Sequence, residues 1–168
     1  SYPGYDANQI NNVSYYASLI NNSSSPLYNR ATQQTLAPGS TFKPISAIAG
    51  LEEGVIDADT YITDYVEYTK VVPHANCWNS AGHGTINVEQ AIEYSCNYFF
   101  YEVGYRLGSK NNTTELSDST GLALLAKYAK MFGLDSVSGL ELPETTPRIS
   151  DESVVRSAIG QATHNYTA

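Results

Sequence analysis

The chain has 168 residues, of which 42% are apolar and only 15% are charged. This composition predicts a folded domain with its own core rather than a disordered chain, and the length does not require a second domain. Seventeen acidic residues against nine basic ones give a net charge of −8, which argues against nucleic acid or an anionic membrane as the main partner. No stretch is long and apolar enough to predict a membrane-spanning helix.

The first third of the chain predicts two helices. Apolar residues within 13–20 predict a short helix, and the serine-rich residues 21–26 predict a loop. A second apolar face is formed by Ile45, Ile48, Ala49 and Leu51. Gly54 is expected to end this helix. Helix propensity places its start at Pro44, because proline biases the preceding residue away from helical angles.

The middle third predicts a short strand or hairpin within Tyr61–Val72, then a loop over residues 73–84. Asn87 resembles a helix N-cap, since Gln90 follows three residues later as in a capping box. Apolar periodicity alone predicts one continuous helix over residues 88–107. Its apolar positions are Val88, Ala91, Ile92, Phe99, Val103 and Leu107.

The last third predicts a polar loop over residues 111–119 and a strong helix over 122–132. Residues 140–143 are expected to be extended, because proline ends them. A last short helix is predicted over 151–160, with acidic residues at its positive end.

The first candidate catalytic residues are Ser40 and Lys43, within Pro-Gly-Ser-Thr-Phe-Lys-Pro over residues 38–44. The two side chains share a helix face if the helix begins about one turn before Lys43. A serine hydroxyl becomes a good nucleophile when a neighbouring base takes its proton. A lysine can be that base when burial lowers its pKa. The spacing alone is common in proteins.

A second sequence motif, Ser95-Cys96-Asn97, makes the Ser-x-x-Lys spacing more informative. Ser-x-x-Lys, Ser-Asp-Asn and Lys-Thr-Gly occur together in penicillin-binding proteins and class A β-lactamases. The first two are present here, with Cys96 in place of aspartate, and no Lys-Thr-Gly, Lys-Ser-Gly or His-Thr-Gly follows them.

The chain resembles the transpeptidase domain of penicillin-binding proteins, in collinear order over nearly its whole length. The similar segments are residues 2–8, 26–31, 38–44, 84–100, 133–134, 139–143 and 159–161. The Ser-Cys-Asn-Tyr-Phe-Phe form of the second element is more similar to the monofunctional class B enzymes than to the bifunctional class A ones.

This resemblance implies an α+β fold of the penicillin-binding protein and serine β-lactamase type. The chain is expected to be its mostly helical sub-domain, with most of the central antiparallel sheet outside the chain. Residues 1–168 would then be a single partial domain, which stops before the third Lys-Thr-Gly-type motif and by itself is expected to be inactive. The resemblance also implies that the second motif lies in a break between two helices, against the continuous helix that periodicity predicts.

The resemblance implies a peptidoglycan D,D-transpeptidase or carboxypeptidase that also binds penicillin covalently. Ser40 resembles the nucleophile that attacks D-Ala-D-Ala stem peptides, and Lys43 resembles its base. Ser95 resembles the hydroxyl that relays a proton to the leaving amine, and Asn97 resembles the amide that orients Lys43 and bonds substrate. Trp78 resembles an aromatic residue at the rim of the cleft, although a loop tryptophan packed on its own domain is an equal alternative.

The partners implied are stem peptides, β-lactam antibiotics, the rest of its own chain with the third motif, and cell-wall synthesis or division proteins. The implied location is the extracytoplasmic face of the bacterial membrane, with an N-terminal anchor absent from this chain. No cofactor is implied.

Two alternative functions remain open from the sequence. Ser-Thr-Phe-Lys also resembles the nucleophile motif of class D β-lactamases and their β-lactam sensor relatives, although Asn97 is unusual for them. The other alternative is a non-catalytic helical binding module, in which Ser40 and Lys43 are structural.

Cys77 and Cys96 are the two cysteines of the chain. Two cysteines do not make a disulfide framework, and the sequence leaves open whether they pair. Zinc could in principle bind His74, Cys77, His83 and Cys96. Their spacing fits no compact zinc knuckle, so we expect no metal site.

Overall fold

The computed structural model describes residues 3–110 and 115–167. Within these residues the α-helices are α1 (Val13–Ile20), α2 (Arg30–Gln33), α3 (Lys43–Glu52), α4 (Val88–Glu93), α5 (Asn97–Gly108), α6 (Asp118–Met131) and α7 (Val154–Ser157). The strands are β1 (Ile62–Asp64), β2 (Glu67–Tyr68), β3 (Ala75–Asn76) and β4 (Gly84–Ile86). Two 3₁₀ turns cover Ala7–Gln9 and Gly39–Phe42. In the part described, every helix is too short or too polar to cross a bilayer.

The strands form two small antiparallel pairs. β1 pairs with β4, with Ile62 opposite Ile86, and β2 pairs with β3 in a hairpin. Over the described ranges the remaining sheet-like contacts are two isolated bridges, Leu36 with Tyr166 and Arg148 with Asn165. The molecule is therefore α+β and mostly helical, as predicted.

The core is built around α5, which packs against α3, α6 and α7. Phe99, Phe100, Val103 and Leu107 are all completely buried on α5. The side chains of residues 99, 103 and 107 are four residues apart and therefore lie along one face of the helix. Burying each of these large side chains stabilises the fold by about 1.5–3 kcal/mol.

The packing of α7 against α5 is close because Gly104 has no side chain. A Cβ atom at Gly104 would lie 2.8 Å from the carbonyl oxygen of Val154 and 3.0 Å from Cβ of Ala158. This contact brings the segment after α7 to the start of α3, where the Gly39 N–H donates to the Gly160 carbonyl at 2.9 Å. Gly160 has φ +72°, and a Cβ there would overlap the Gly39 carbonyl oxygen. The α5–α7 contact thus supports the turn that carries Ser40.

A buried carboxylate joins α5 to the β2 hairpin. Glu102 accepts hydrogen bonds from the Tyr68 hydroxyl at 2.7 Å, Lys70 Nζ at 2.8 Å and Arg106 Nε at 2.9 Å. Burial by itself would raise the pKa of Glu102, but the hydrogen bonds from Lys70, Arg106 and Tyr68 outweigh it and hold the pKa below its usual value. Glu102 is therefore an ionised and fully bonded core residue, and it lies outside the catalytic candidates.

The continuous helix predicted over residues 88–107 is wrong. α4 ends at Glu93 and α5 begins at Asn97. Between them Ser95 has φ +52°, which no α-helix accommodates. The break lies where the family resemblance implies it.

Other boundaries differ by a few residues. The helix predicted over 122–132 begins earlier, at Asp118, because Ser117 is its N-cap and accepts from the Thr120 N–H. The predicted polar loop over 111–119 is shortened accordingly, and residues 111–114 of it lie outside the described residues. The final helix covers only Val154–Ser157, and the loop predicted over 73–84 contains β3 and the start of β4.

Candidate active site

Ser40 lies in the 3₁₀ turn Gly39–Phe42, immediately before α3, and is exposed. The Lys43 backbone N–H donates to the Ser40 carbonyl. The α-helix itself begins at Lys43, and Pro44 occupies its first turn, where a missing N–H costs little. The turn that Ser40 and Lys43 require is thus present, in the tighter 3₁₀ form.

Lys43 is only 2% exposed and is held by the second motif. Its Nζ lies 2.6 Å from the Ser95 carbonyl oxygen, 3.0 Å from Ser95 Oγ and 2.7 Å from Asn97 Oδ1. In the part of the chain that the structure describes, no hydrogen bond joins Ser40 Oγ to Lys43 Nζ. Lys43 therefore contacts two of the other predicted catalytic residues, Ser95 and Asn97, and Ser40 lies one turn away on the exposed side.

The environment of Lys43 makes its amine a usable base. Burial lowers the pKa of Lys43 to about 8, although the buried thiols of Cys96 and Cys77 act in the opposite direction. A lysine with this pKa is roughly one-tenth neutral at pH 7, a far larger fraction than an exposed lysine has. The neutral amine can donate to the Ser95 carbonyl and Asn97 Oδ1 and still accept a proton on its lone pair.

The turn between α4 and α5 aims Ser95 and Asn97 at the lysine. The Ser95 N–H donates to the Ile92 carbonyl at 3.1 Å, and the Cys96 N–H donates to the Ala91 carbonyl at 2.9 Å. Cys96 is extended and is the N-cap of α5, where its sulfur accepts from the Phe99 N–H at 3.5 Å. These bonds hold Ser95 in its left-handed conformation, which places its hydroxyl beside Lys43 Nζ.

Trp78 lies at the edge of this turn and is 65% exposed. Its indole Nε1–H donates to the Ser95 carbonyl oxygen at 3.0 Å and to that of Tyr94 at 3.3 Å. The Ser95 carbonyl thus accepts from both Trp78 and Lys43. The large exposed ring next to the second motif is free to contact a bound ligand.

Four potential metal ligands meet behind the second motif. The donor atoms of Asp64, Cys77, His83 and Cys96 all lie within 4.8 Å of one another. His83 Nδ1 lies 2.7 Å from Asp64 Oδ2 and 3.5 Å from Cys77 Sγ, and Cys96 Sγ lies 3.4 Å from Asp64 Oδ2. Two sulfurs, one imidazole nitrogen and one carboxylate oxygen are a donor set that zinc accepts in tetrahedral sites.

The separation of the two sulfurs also fits such a site. Both cysteines are free thiols, and their Sγ atoms are 3.9 Å apart. Two sulfurs bound tetrahedrally to zinc, each at about 2.3 Å, lie about 3.8 Å apart. These residues could therefore hold a zinc ion. The hydrogen bond between the two sulfurs lowers the pKa of the Cys77 thiol to about 6, and the same bond, together with burial, raises the pKa of Cys96.

From the sequence, His74 rather than Asp64 was among the residues that could bind zinc, and no metal site was expected because of their spacing. His74 is exposed and its Nδ1 lies 3.0 Å from Glu67 Oε1, away from the cysteines. Asp64 was missed because its contribution depends on the pairing of β1 with β4, which brings it beside His83. Gly160 was also missed as a support of the Ser40 turn, because the contact depends on how α7 packs.

An exposed serine one turn before a buried lysine, which is bonded to a second serine and an amide, is the arrangement expected of a serine acyl-transfer site. The family model described as penicillin binding protein transpeptidase domain matches residues 1–168. The chain therefore belongs to the penicillin-binding protein transpeptidase family, as the sequence motifs predicted.

Individual relatives agree with this assignment. Over 130 residues, 76% of the chain, it is 34% identical to the peptidoglycan D,D-transpeptidase MrdA of Acinetobacter baumannii and covers 17% of that protein. Pseudomonas aeruginosa PBP2 in complex with WCK 5153 superimposes on 99% of the chain, with a TM-score of 0.82, 25% identity and 40% of its own chain covered. Penicillin-binding protein A from M. tuberculosis, solved as an imipenem acyl-enzyme complex, superimposes on 99% of the chain, with a TM-score of 0.81, 27% identity and 38% covered.

The match is to a part of these relatives. The chain spans 17% to 22% of the length of the curated relatives MrdA from A. baumannii and Escherichia coli. It contains the Ser40 and Ser95 motifs, and no Lys-Thr-Gly sequence occurs in it.

Proposed function

We propose that the full-length protein is a peptidoglycan D,D-transpeptidase that acts through an acyl-enzyme on Ser40. The observation that carries this proposal is the buried Lys43, bonded to Ser95 and Asn97 one turn after the exposed Ser40. Membership of the transpeptidase family supports it. The contact between Asn97 and Lys43 also favours this function over a class D-like β-lactamase, whose second motif usually ends in an aliphatic residue.

The acylation step begins with proton transfer. Neutral Lys43 takes the Ser40 hydroxyl proton, and Ser40 Oγ attacks the carbonyl carbon between the two D-alanines of a stem peptide. The proton held by Lys43 then passes through the Ser95 hydroxyl to the nitrogen of the departing D-alanine. The C–N bond breaks, D-alanine leaves, and the peptide remains as an ester on Ser40.

The second half of the reaction reverses these roles. The amine of a neighbouring stem peptide attacks the ester, and its proton passes through Ser95 to Lys43 and back to Ser40 Oγ. The product is a new peptide bond between two strands of the cell wall. Water in place of the amine gives carboxypeptidase activity.

A β-lactam antibiotic would enter the same first step as a strained amide. The M. tuberculosis relative forms an acyl-enzyme with imipenem, which supports the same reaction at Ser40. We expect Trp78 to contact the substrate or the antibiotic, because its exposed ring adjoins the Ser95 turn.

The proposed function implies further binding partners and a cellular location for the protein. The remainder of the protein would supply a Lys-Thr-Gly-type motif, which completes the oxyanion site and binds the substrate carboxylate. Cell-wall substrates place the domain on the extracytoplasmic face of the bacterial membrane, held by a separate anchor. Other cell-wall synthesis or division proteins are the expected macromolecular partners.

The test is a cross-linking assay with the full-length protein, a D-Ala-D-Ala stem peptide and an acceptor peptide. We expect D-alanine release together with a cross-linked product, and loss of both in Ser40→Ala. Ser23→Ala, the same chemical change in an exposed loop, is the matched control. Rapid hydrolysis of penicillin without cross-linking would instead assign the site to the β-lactamases, and inertness toward both substrates would leave a binding module.

A further inference from the structure

The two thiols behind the catalytic turn are close enough to react with each other. Cys77 follows β3 and Cys96 is the N-cap of α5, and both side chains are buried. Their sulfurs are 3.9 Å apart, whereas a disulfide bond is about 2.05 Å long. A disulfide therefore requires the sulfurs to approach by about 2 Å.

A metal ion and a disulfide exclude each other at this pair. With Asp64 and His83, the two sulfurs form the four-donor cluster that fits zinc. A thiolate bound to zinc is not available to form a disulfide, and a disulfide removes two of the four ligands. In an oxidising compartment two neighbouring thiols stay reduced only while a bound metal ion or another group protects them from oxidation.

Movement of Cys96 reaches the catalytic residues directly. Cys96 lies between Ser95 and Asn97, both of which contact Lys43 Nζ. Its sulfur also caps α5 by accepting the Phe99 N–H. Drawing this sulfur toward Cys77 would break the cap and strain a turn in which Ser95 already has φ +52°. A displacement of about 1 Å in a catalytic group is enough to lower a rate about a hundredfold.

We propose that Cys77 and Cys96 are a redox-switchable pair, which holds the catalytic turn in place as a zinc-bound dithiolate and distorts it as a disulfide. The oxidant is a small molecule or a protein that carries a reactive disulfide bond. This inference rests on the proposed function for its effect on acylation, but the chemistry of the pair is independent of that function.

The oxidation balances in two exchange steps. The Cys77 thiolate attacks one sulfur of the oxidant, whose S–S bond breaks and releases one thiolate. The Cys96 thiolate then attacks Cys77 Sγ in the mixed disulfide, forming the Cys77–Cys96 bond and releasing the second thiolate. The two electrons lost by the protein sulfurs reduce the oxidant to two thiols, which take up the two protons that the cysteines gave up, and any zinc leaves as Zn²⁺.

The test compares zinc-loaded and chelator-treated full-length protein after exposure to oxidised glutathione. We expect peptide mapping to find the Cys77–Cys96 disulfide in the metal-free protein and free thiols in the zinc-loaded protein. Hydrogen exchange over residues 92–100 should increase with the disulfide. Labelling of Ser40 by a fluorescent penicillin should fall by about a hundredfold and recover with dithiothreitol.

Two variants separate the disulfide from the metal. Cys77→Asp keeps an oxygen ligand for zinc but cannot form the disulfide, so its labelling should be the same before and after oxidant. Cys77→Ser removes both functions, so it should lose zinc and also resist oxidant. In each variant the quantity compared is the ratio of labelling with and without oxidant.

Three results would overturn the proposal: no Cys77–Cys96 disulfide in metal-free wild-type protein, equal disulfide formation with zinc bound, or a disulfide that changes neither hydrogen exchange nor labelling. Failure of the reduced, zinc-loaded protein to accept penicillin would count against the proposed function instead. The disulfide map and the hydrogen-exchange data would still show whether Cys77 and Cys96 form a disulfide and whether it distorts the turn.

Discussion

Lys43 is the residue around which the site is organised. Its side chain is almost fully buried, yet its three polar contacts all come from one turn, through Ser95 and Asn97. Burial destabilises the charged amine and lowers its pKa to about 8, and the three acceptors fix the position of the amine. The sequence predicted all of these residues, since they belong to two motifs that resemble one family.

Acylation of Ser40 should depend on pH through Lys43. Because burial lowers the pKa of Lys43 to about 8, and the base must be neutral, the acylation rate should rise with pH and level off above this value. Stopped-flow measurement of penicillin acylation between pH 6 and pH 9, a span of about three units around this pKa, checks the profile. A flat profile, or a lysine that titrates in its ordinary range by NMR, would rule out Lys43 as the base.

Asn97 should be required for the chemistry more than for folding. Asn97→Ala removes the Oδ1 acceptor that lies 2.7 Å from Lys43 Nζ, so the amine loses its orientation. We expect the second-order acylation rate to fall by about a hundredfold or more, with a melting temperature close to wild type. Glu93→Ala, at the exposed end of α4, is the matched control and should acylate normally. Equal rates in the two variants would show that Asn97 does not orient the base.

At the scale of elements, the break between α4 and α5 shows what local sequence could not predict. The apolar pattern from Val88 to Leu107 continues through the break in helical register, and neither glycine nor proline marks it. The break depends on tertiary contacts: Ser95 accepts from Lys43 and Trp78, and Cys96 caps α5. By contrast, α1 and α3 were predicted closely, because their apolar faces and end signals are local.

The support of the Ser40 turn by Gly160 can be tested with a pair of alanine variants. Gly160→Ala would drive Cβ into the Gly39 carbonyl, whereas Gly54→Ala has a similar positive φ but nothing within 4 Å of the new Cβ. Both variants carry the left-handed strain of about 1–2 kcal/mol. Only Gly160→Ala should also slow Ser40 acylation, by about a hundredfold. Equal acylation by the two variants would show that this contact does not position the nucleophile.

At the scale of the whole molecule, the sequence could not predict which distant residues meet in the ligand cluster and in the core. Asp64, Cys77, His83 and Cys96 come from four separate segments, so their meeting depends on the pairing of β1 with β4 and on the start of α5. His164 is similar: it lies against Phe42, with ring centroids 4.3 Å apart, although the two residues are 122 positions apart in the sequence. Long-range contacts of this kind leave no periodic signal in the sequence.

Buried His164 should make the stability of the fold depend on pH. The Ser150 N–H donates to Nδ1 at 3.1 Å, and Nε2 lies 3.2 Å from the Ser157 carbonyl, an arrangement that suits the neutral ring. Burial lowers the pKa of His164 to about 4, below the unfolded value of about 6.5. The unfolded state therefore binds a proton first, and stability that is fully present above pH 6.5 is lost as the pH falls toward 4.

The expected loss is about 3 kcal/mol between these two pH values. Urea unfolding monitored across this window measures it. His164→Gln should be less stable at neutral pH but should show a much flatter dependence over the same range. An equally steep dependence in His164→Gln would assign the effect to other groups.

The most direct test of the central claim is to locate the covalent adduct that penicillin forms with the full-length protein. Peptide mapping by mass spectrometry after brief exposure should find the penicilloyl ester on Ser40, and Lys43→Met should reduce its rate of formation by at least about a hundredfold. An adduct on any other residue, or no adduct in a folded protein with an intact Ser40, would contradict the account.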